Sequence, residues 1–358
     1  MTNRTSNRSR GRFFAMWLYH TPRSEQKQAS MVKQNPCRKS ILLVSFFTLQ
    51  SPTLFGEWTV LIGLIKTMRP KQWAKNIFVF APLVFDTKLI VVNYLFQTIV
   101  GFILLCVVSG TVYIINDVVD VEKDRQHPRK SKRPIASGKL GAKAAIAAAI
   151  IILLIALPAG FILNPIFGGI LSGYLFMQIL YSLWLKNIVI VDVMIIAAGF
   201  MLRVAAGVPL AEAPISPWLY LCMTLLALLI GFGKRRHELT LLKENANAHR
   251  QSLQEYNISL LDHVISIVTA SIVLAYALYT FSAPNLPKDD AGSSPMMLSI
   301  PFLLYAIFRY LYLIHVKGMG GAPEEIIFSD RPLQVSVLLW GLSVIAVLYL
   351  PRLIEQLD

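Results

Sequence analysis

The chain has 358 residues, of which 55% are hydrophobic and only 15% charged, where an average globular domain carries roughly 25% charge. With a mean hydropathy of +0.57, this composition excludes a soluble enzyme, a disordered chain and a disulfide scaffold, and leaves a polytopic membrane protein. Cys37, Cys106 and Cys222 lie far apart with no CxxC pair, so neither a disulfide framework nor a zinc site is indicated.

Net charge is +14, unevenly spread. Residues 1–56 hold nine Lys/Arg and one acid, Glu25. The only apolar run there, Ile41 to Leu49, is too short to cross a bilayer. This segment is read as a basic, disordered or weakly interfacial extension, or as translation from an upstream start codon. Residues 57–358 are read as the membrane domain. A basic balance can signal nucleic acid. Here the basic residues flank apolar spans, so topology accounts for them and no nucleic-acid partner is expected.

A helical span needs about 20 apolar residues. Nine candidates follow one another: 76–86 (short), 93–116, 141–163, 166–185, 188–208, 217–233, 260–281, 298–315 and 333–351. No connector between them is long enough for a soluble domain, so the predicted fold is an all-α polytopic bundle of nine transmembrane helices. Lys and Arg fix its orientation. With 57–75 inside, the connectors after spans two, four, six and eight are also inside and carry nearly all the basic residues. That is the cytoplasmic face, and the chemically suggestive loops fall on it.

The second span runs into Asn116-Asp117-Val118-Val119-Asp120-Val121-Glu122-Lys123-Asp124. On a continuous helix, Asn116, Asp117, Asp120 and Asp124 project from one face. Carboxylates so gathered repel one another unless a cation sits among them. Hard oxygen donors of this kind suit Mg²⁺ bridging to substrate phosphates. A solvated helix end is the plainer reading, but carboxylates at the end of an apolar span are costly and usually mark a site. Arg125, His127, Arg129, Lys130, Lys132 and Arg133 follow directly. Acid followed by base suits a magnesium diphosphate, with metal on one side and cationic side chains on the other.

This acidic motif in a nine-span bundle resembles the UbiA superfamily of membrane-embedded prenyltransferases, over about residues 60–351. The resemblance implies a Mg²⁺-diphosphate substrate in a central cavity that opens toward the cytoplasm. Typical members carry a second Asp-rich motif after the sixth span. Here that stretch is Gly233-Lys234-Arg235-Arg236-His237-Glu238, with no DxxxD. A cationic cluster suits a bare phosphate better than a metal. Three further segments resemble the decaprenyl-phosphate phosphoribosyltransferase branch. They are Arg69-Pro70-Lys71-Gln72-Trp73-Ala74-Lys75-Asn76, the stretch Gly233 to Glu238, and Glu324-Glu325 with Asp330-Arg331.

That resemblance implies transfer of 5-phosphoribose from 5-phosphoribosyl-1-diphosphate (PRPP) to a polyprenyl phosphate in a bacterial inner membrane. Asp117, Asp120 and Asp124 are then expected to hold Mg²⁺, with Asn116 as a polar ligand or orienter. Lys71, Lys75, Lys130 and Arg133 are expected to neutralise phosphate charge. Lys234, Arg235 and Arg236 are expected on the 5-phosphate or the lipid phosphate. Tyr181, Lys186 and Asp192 are expected near the substrate. Asp192 and Arg203, eleven residues apart, share a helix face and suggest either ribose contact or an interhelical pair. Asp330-Arg331 reads as a lid contact or a loop ion pair. The spans' Trp184, Phe200, Met201 and Trp340 read as packing or lipid contacts, and Trp73 as an interfacial anchor. No Ser/His/Asp or Cys/His set is apparent, which agrees with a reaction run by positioning and electrostatics. The competing readings are a prenyltransferase with an aromatic or other acceptor, and a lipid carrier, which would show internal repeats.

Overall fold

A computed structural model describes residues 52–128, 130–244, 253, 255–284, 286–288, 292–321 and 323–355. The basic extension up to residue 51 and Arg129 lie outside the described residues, as do the side chains of Glu324 and Glu325. The helices are α1 (Pro52–Thr67), α2 (Ala81–Phe85), α3 (Val92–Val119), α4 (Val121–Gln126), α5 (Ala142–Leu163) and α6 (Pro165–Leu183). Then come α7 (Val191–Ala211), α8 (Pro217–Glu244), α9 (Ile258–Ser282), α10 (Ile300–His315), α11 (Pro323–Ser329) and α12 (Arg331–Glu355). A 3-10 segment, Pro70–Phe80, links α1 to α2.

Eight helices among the described residues are long and apolar enough to cross a membrane: α3, α5 to α9, α10 with the turn before it, and α12. The short ninth candidate, 76–86, lies in the 3-10 segment and the five-residue α2. A 3-10 helix rises about 2.0 Å per residue against 1.5 Å for an α-helix. The 11-residue 3-10 segment and α2 therefore rise about 30 Å together. The first six residues of the 3-10 segment, 70–75, are the polar stretch that carries Lys71 and Lys75, and the segment is not among the eight helices long and apolar enough to cross a membrane. Helix α1 begins at Pro52.

Local chemistry explains the one-residue link between α5 and α6. Asn164 ends α5 in extended backbone, and its side-chain oxygen accepts from Ile166 N at 2.9 Å and Phe167 N at 3.2 Å. Pro165 then sits where a helix start needs no amide donor. One residue thus reverses the chain between two spans.

Packing divides into two main apolar groups. Val79, Leu105, Phe167, Leu171, Ala206 and Leu210 close the first, around α3, α6, α7 and the 3-10 segment. Leu229, Leu261, Ile265, Ile307 and Leu313 close the second, around α8, α9 and α10. Outward positions stay apolar as well: Leu154, Ile162, Phe176 and Trp184 are exposed, as a lipid-facing surface requires. Helix α7 lies flush on the 3-10 segment. A Cβ at Gly207 would fall 1.9 Å from the Val79 carbonyl oxygen, so only glycine permits this approach.

Buried polar side chains tie the 3-10 segment in place. Asn76 donates to Ser109 Oγ (3.1 Å) and Cys106 Sγ (3.2 Å) on α3, and accepts from Arg203 Nε (2.8 Å) on α7. Arg203 also donates to the Gly199 carbonyl and to Tyr174 Oη, both at 2.7 Å. Arg203 therefore does not pair with Asp192, although one helix face carries both.

Candidate active site

The acidic motif is not one continuous helical stripe. Helix α3 stops at Val119, Asp120 caps it with φ −92° and ψ 9°, and α4 restarts at Val121. This break separates the three acids into two settings. Asp117 and Asp124 are buried and turn to a common partner, while Asp120 is partly exposed and turns elsewhere.

The common partner is Arg133. Its Nη1 lies 3.0 Å from Asp117 Oδ1 and 2.5 Å from Asp124 Oδ2. A second guanidinium, Arg69, reaches the same Asp117 Oδ1 at 2.5 Å and lies over the Tyr113 ring, 4.7 Å from its centroid. Arg69 is a non-glycine residue in left-handed backbone, φ 54°, just before Pro70. Such a conformation costs of order 1 kcal/mol or more and collects at functional sites. Asp120 accepts from Lys186 Nζ at 3.1 and 3.2 Å. Lys186 belongs to the short link between α6 and α7.

That link connects a second cluster. Asp192, at the start of α7, is fully buried, with Oδ2 2.7 Å from Arg235 Nε of α8. The contact is an ion pair without hydrogen-bond alignment, since neither atom meets hydrogen-bond geometry. Asp192 Oδ1 accepts from Tyr256 Oη at 2.9 Å, and Tyr256 Oη accepts from Ile190 N at 2.6 Å. Burial pushes the Tyr256 phenol up, so it stays a donor to the carboxylate. Arg235 also pairs with Glu238 one turn on, and Tyr181 lies close enough to interact with it electrostatically.

The other expected residues fall in several places. Arg236 is drawn aside, its Nε 2.5 Å from Asp262 Oδ1 of α9 and its Nη1 donating to Ile314 O. Lys234 is half-buried on α8 beside them. Lys75 is partly buried and donates to Gln72 Oε1 at 2.6 Å. Lys71 and Lys130 are exposed, and Asn116 is half-buried in the last turn of α3. His127 accepts from the Lys130 amide at 3.4 Å. Asp330 pairs with Arg309 through both carboxylate oxygens, at 3.1 and 2.9 Å. Trp340 donates to Tyr276 Oη and Trp73 to the Met68 carbonyl, as packing residues do.

Sequence reasoning passed over Arg69, Tyr256, Glu238 and Asp262. Arg69 and Glu238 both lie in stretches that carry the family resemblance, but neither was given a role there, and Tyr256 and Asp262 lie in no such stretch.

Among the described residues, no three His, Cys, Asp or Glu side chains are grouped closely enough to cage a metal. Asp117 and Asp124 nevertheless direct carboxylate oxygens at one cationic nitrogen. Two hard oxygens around one cation, with positions left for substrate phosphate and water, fit a Mg²⁺-type ion.

Comparisons with known proteins bear on this site. Residues 78–320 match the model of the UbiA prenyltransferase family. The chain is 34% identical to the decaprenyl-phosphate phosphoribosyltransferase of Mycolicibacterium smegmatis over 307 residues, 83% of this chain and 96% of that protein. It is 32% identical to the protein of the same description from Corynebacterium glutamicum over 297 residues, 80% of this chain and 87% of that one. Its fold is similar to that of a UbiA homologue from Archaeoglobus fulgidus bound to GPP and Mg²⁺, with a TM-score of 0.60 and 16% identity, over 80% of this chain and 99% of that one. The chain belongs to the UbiA prenyltransferase family and is an integral, multi-pass membrane transferase.

Proposed function

We propose that this protein transfers 5-phosphoribose from PRPP to a decaprenyl-type polyprenyl phosphate, in residues 57–358, on the cytoplasmic face of a bacterial inner membrane. The observation that carries this reading is similarity along most of the chain to relatives described as decaprenyl-phosphate phosphoribosyltransferases. The site agrees with it in kind: an acidic cluster and a separate basic stretch suit a substrate with anionic groups at both ends.

In this reading Asp117, Asp124 and Asp120 would hold Mg²⁺, with Asn116 orienting. Mg²⁺ when bound supplies charge neutralisation for the diphosphate. The protein's own side chains do the rest. Arg69, Arg133, Lys71, Lys75 and Lys130 surround the leaving group with positive charge. Lys186 holds Asp120, and Tyr181 lies near Arg235 of α8. Lys234 offers a cation to the 5-phosphate or the lipid phosphate. Arg235 and Arg236 shape that end through their carboxylate partners. The bond from C1 to diphosphate oxygen breaks, and a bond from C1 to a lipid phosphate oxygen forms. That oxygen is already anionic near neutral pH, so no proton need be removed. Catalysis then lies in positioning and in electrostatic support of the departing charge.

The test uses detergent-purified protein, Mg²⁺, polyprenyl phosphate and PRPP labelled in the ribose. Label is expected to enter the organic phase. Label that instead moves from a prenyl diphosphate to an aromatic acceptor would replace this reading with a prenyltransferase.

A further inference from the structure

We propose that Arg69 and Arg133 are resident counter-ions of the acidic motif, which a divalent cation displaces, and that the displaced guanidiniums then grip the diphosphate of the substrate. The inference rests on the metal site of the reading above and adds the state of the site before substrate arrives.

The charge balance comes first. The side chains of Asp117 and Asp124 are only 2% and 4% exposed. Buried carboxylates keep their charge only with a partner, because the desolvation cost is several kcal/mol per ion. Two guanidiniums meet that need: Arg133 bridges both carboxylates and Arg69 holds Asp117. Two negative and two positive charges cancel. A divalent cation brings the same positive charge to the same oxygens, so it competes for the position Arg133 Nη1 now fills. Once it binds, two guanidinium charges are left over, which is the complement a metal-bound diphosphate lacks.

Exposure gives the direction of travel. The arginine side chains are 29% and 26% exposed, far more than the carboxylates they hold. Each reaches a carboxylate with one nitrogen while its side chain stays partly exposed. Arg69 is anchored so that it can swing without being lost: Pro70 fixes the backbone after it, and the Tyr113 ring supports the guanidinium face. Planar guanidiniums also suit phosphate oxygens bidentately. Lys186 already pairs with Asp120, so those two charges cancel and leave this balance unchanged.

The exchange predicts opposite signs for two bindings. Removing a competing cation strengthens metal binding without substrate. Removing a gripping cation weakens diphosphate binding with metal. Detergent-purified wild type, Arg133→Gln, Arg69→Gln and Arg133→Lys are titrated with Mn²⁺, read by its electron paramagnetic resonance signal. The same proteins are titrated with inorganic diphosphate at saturating Mn²⁺, read by calorimetry. Arg133→Gln is expected to bind Mn²⁺ about tenfold tighter and diphosphate about tenfold weaker. Arg69→Gln is expected to shift both the same way by less, because it holds one carboxylate. Arg133→Lys keeps the charge but loses the fork, and is expected to fall between wild type and Arg133→Gln on both axes. Thermal melts confirm that each variant is folded. Mn²⁺ binding unchanged or weaker in all three variants would overturn the exchange while leaving the metal site intact. Mn²⁺ binding absent from wild type and from Asp117→Asn alike would overturn the metal site and the exchange with it.

Discussion

Arg235 Nε lies 2.7 Å from Asp192 Oδ2, and the two side chains are 1% and 0% exposed. At that depth each charge depends on the other. Breaking a buried pair from one side costs about 3–5 kcal/mol, whereas apolar replacement of both partners is often neutral. Asp192→Asn is therefore expected to lower the thermal stability of the solubilised protein by that order. Asp192→Leu with Arg235→Met is expected to recover most of the loss, since Glu238 is 29% exposed and can turn to water. A double variant less stable than either single would show that the pair contributes more than mutual neutralisation.

The same geometry separates the three basic neighbours of α8. Arg235 is buried against Asp192 and Glu238, Arg236 is bound to Asp262 of α9, and Lys234 is half-buried on the same stretch of α8. A hydrogen bond to a charged group is worth about 1.5–3 kcal/mol. Lys234→Ala is expected to raise KM for PRPP or for lipid phosphate by about tenfold or more. Arg236→Gln is expected to lower the melting temperature and leave both KM values within about twofold. Steady-state kinetics on the two variants checks this, and the reverse pattern would exchange their roles.

What sequence could supply here follows from physical range. Apolar runs and Lys/Arg asymmetry act over a whole span, so α3, α5 to α9, α10 and α12 were legible from composition alone. The stretch 76–86 was not regular: its first half is the end of a 3-10 segment with no α-helical period to read, and its second half is a five-residue helix that contains Pro82. The acidic spacing pointed to Asp117 and Asp124, but it assumed an unbroken helix. The stop at Asp120 turns that carboxylate to Lys186, and only tertiary packing decides such a turn. Partner choice was illegible for the same reason. Asp192 and Arg203 share a face of α7, yet Arg203 found Asn76 and Asp192 found Arg235, each across a helix–helix contact far apart in the chain.

Asp117→Asn, Asp120→Asn and Asp124→Asn are each expected to reduce turnover by about 100-fold or more while the protein still inserts and purifies, since each removes a carboxylate proposed to hold the Mg²⁺ that would neutralise the leaving diphosphate. Chelation with EDTA is expected to abolish turnover of wild type, and added Mg²⁺ to restore it. The three acids also differ among themselves. Asp120→Asn removes a charge that pairs with Lys186, and both side chains are partly exposed and can be hydrated, so its melting temperature is expected to stay near wild type. Asp117→Asn leaves Arg69 and Arg133 short of a buried acceptor and is expected to melt lower. Wild-type turnover in two of the three variants would remove the acidic motif from the chemistry.

Arg203 is a cation buried within α7, and among the described residues its hydrogen-bond acceptors are uncharged: Asn76 Oδ1, the Gly199 carbonyl and Tyr174 Oη. Asn76 carries the bond across to the 3-10 segment and on to Ser109 of α3, two turns below Asp117. The network thus sets the height of the segment that bears Lys75 and follows Arg69. Leaving a buried donor unsatisfied costs about 1–3 kcal/mol. Asn76→Leu is expected to destabilise the protein by that amount and to lower turnover with it. Adding Arg203→Met removes the stranded donor, so the double variant is expected to regain stability but not turnover, because the 3-10 segment is then held by packing alone. A double-mutant cycle on melting temperature and on kcat measures both. Additive losses in stability would mean that the two side chains act independently, and recovery of kcat along with stability would mean that their bond plays no part in placing the site.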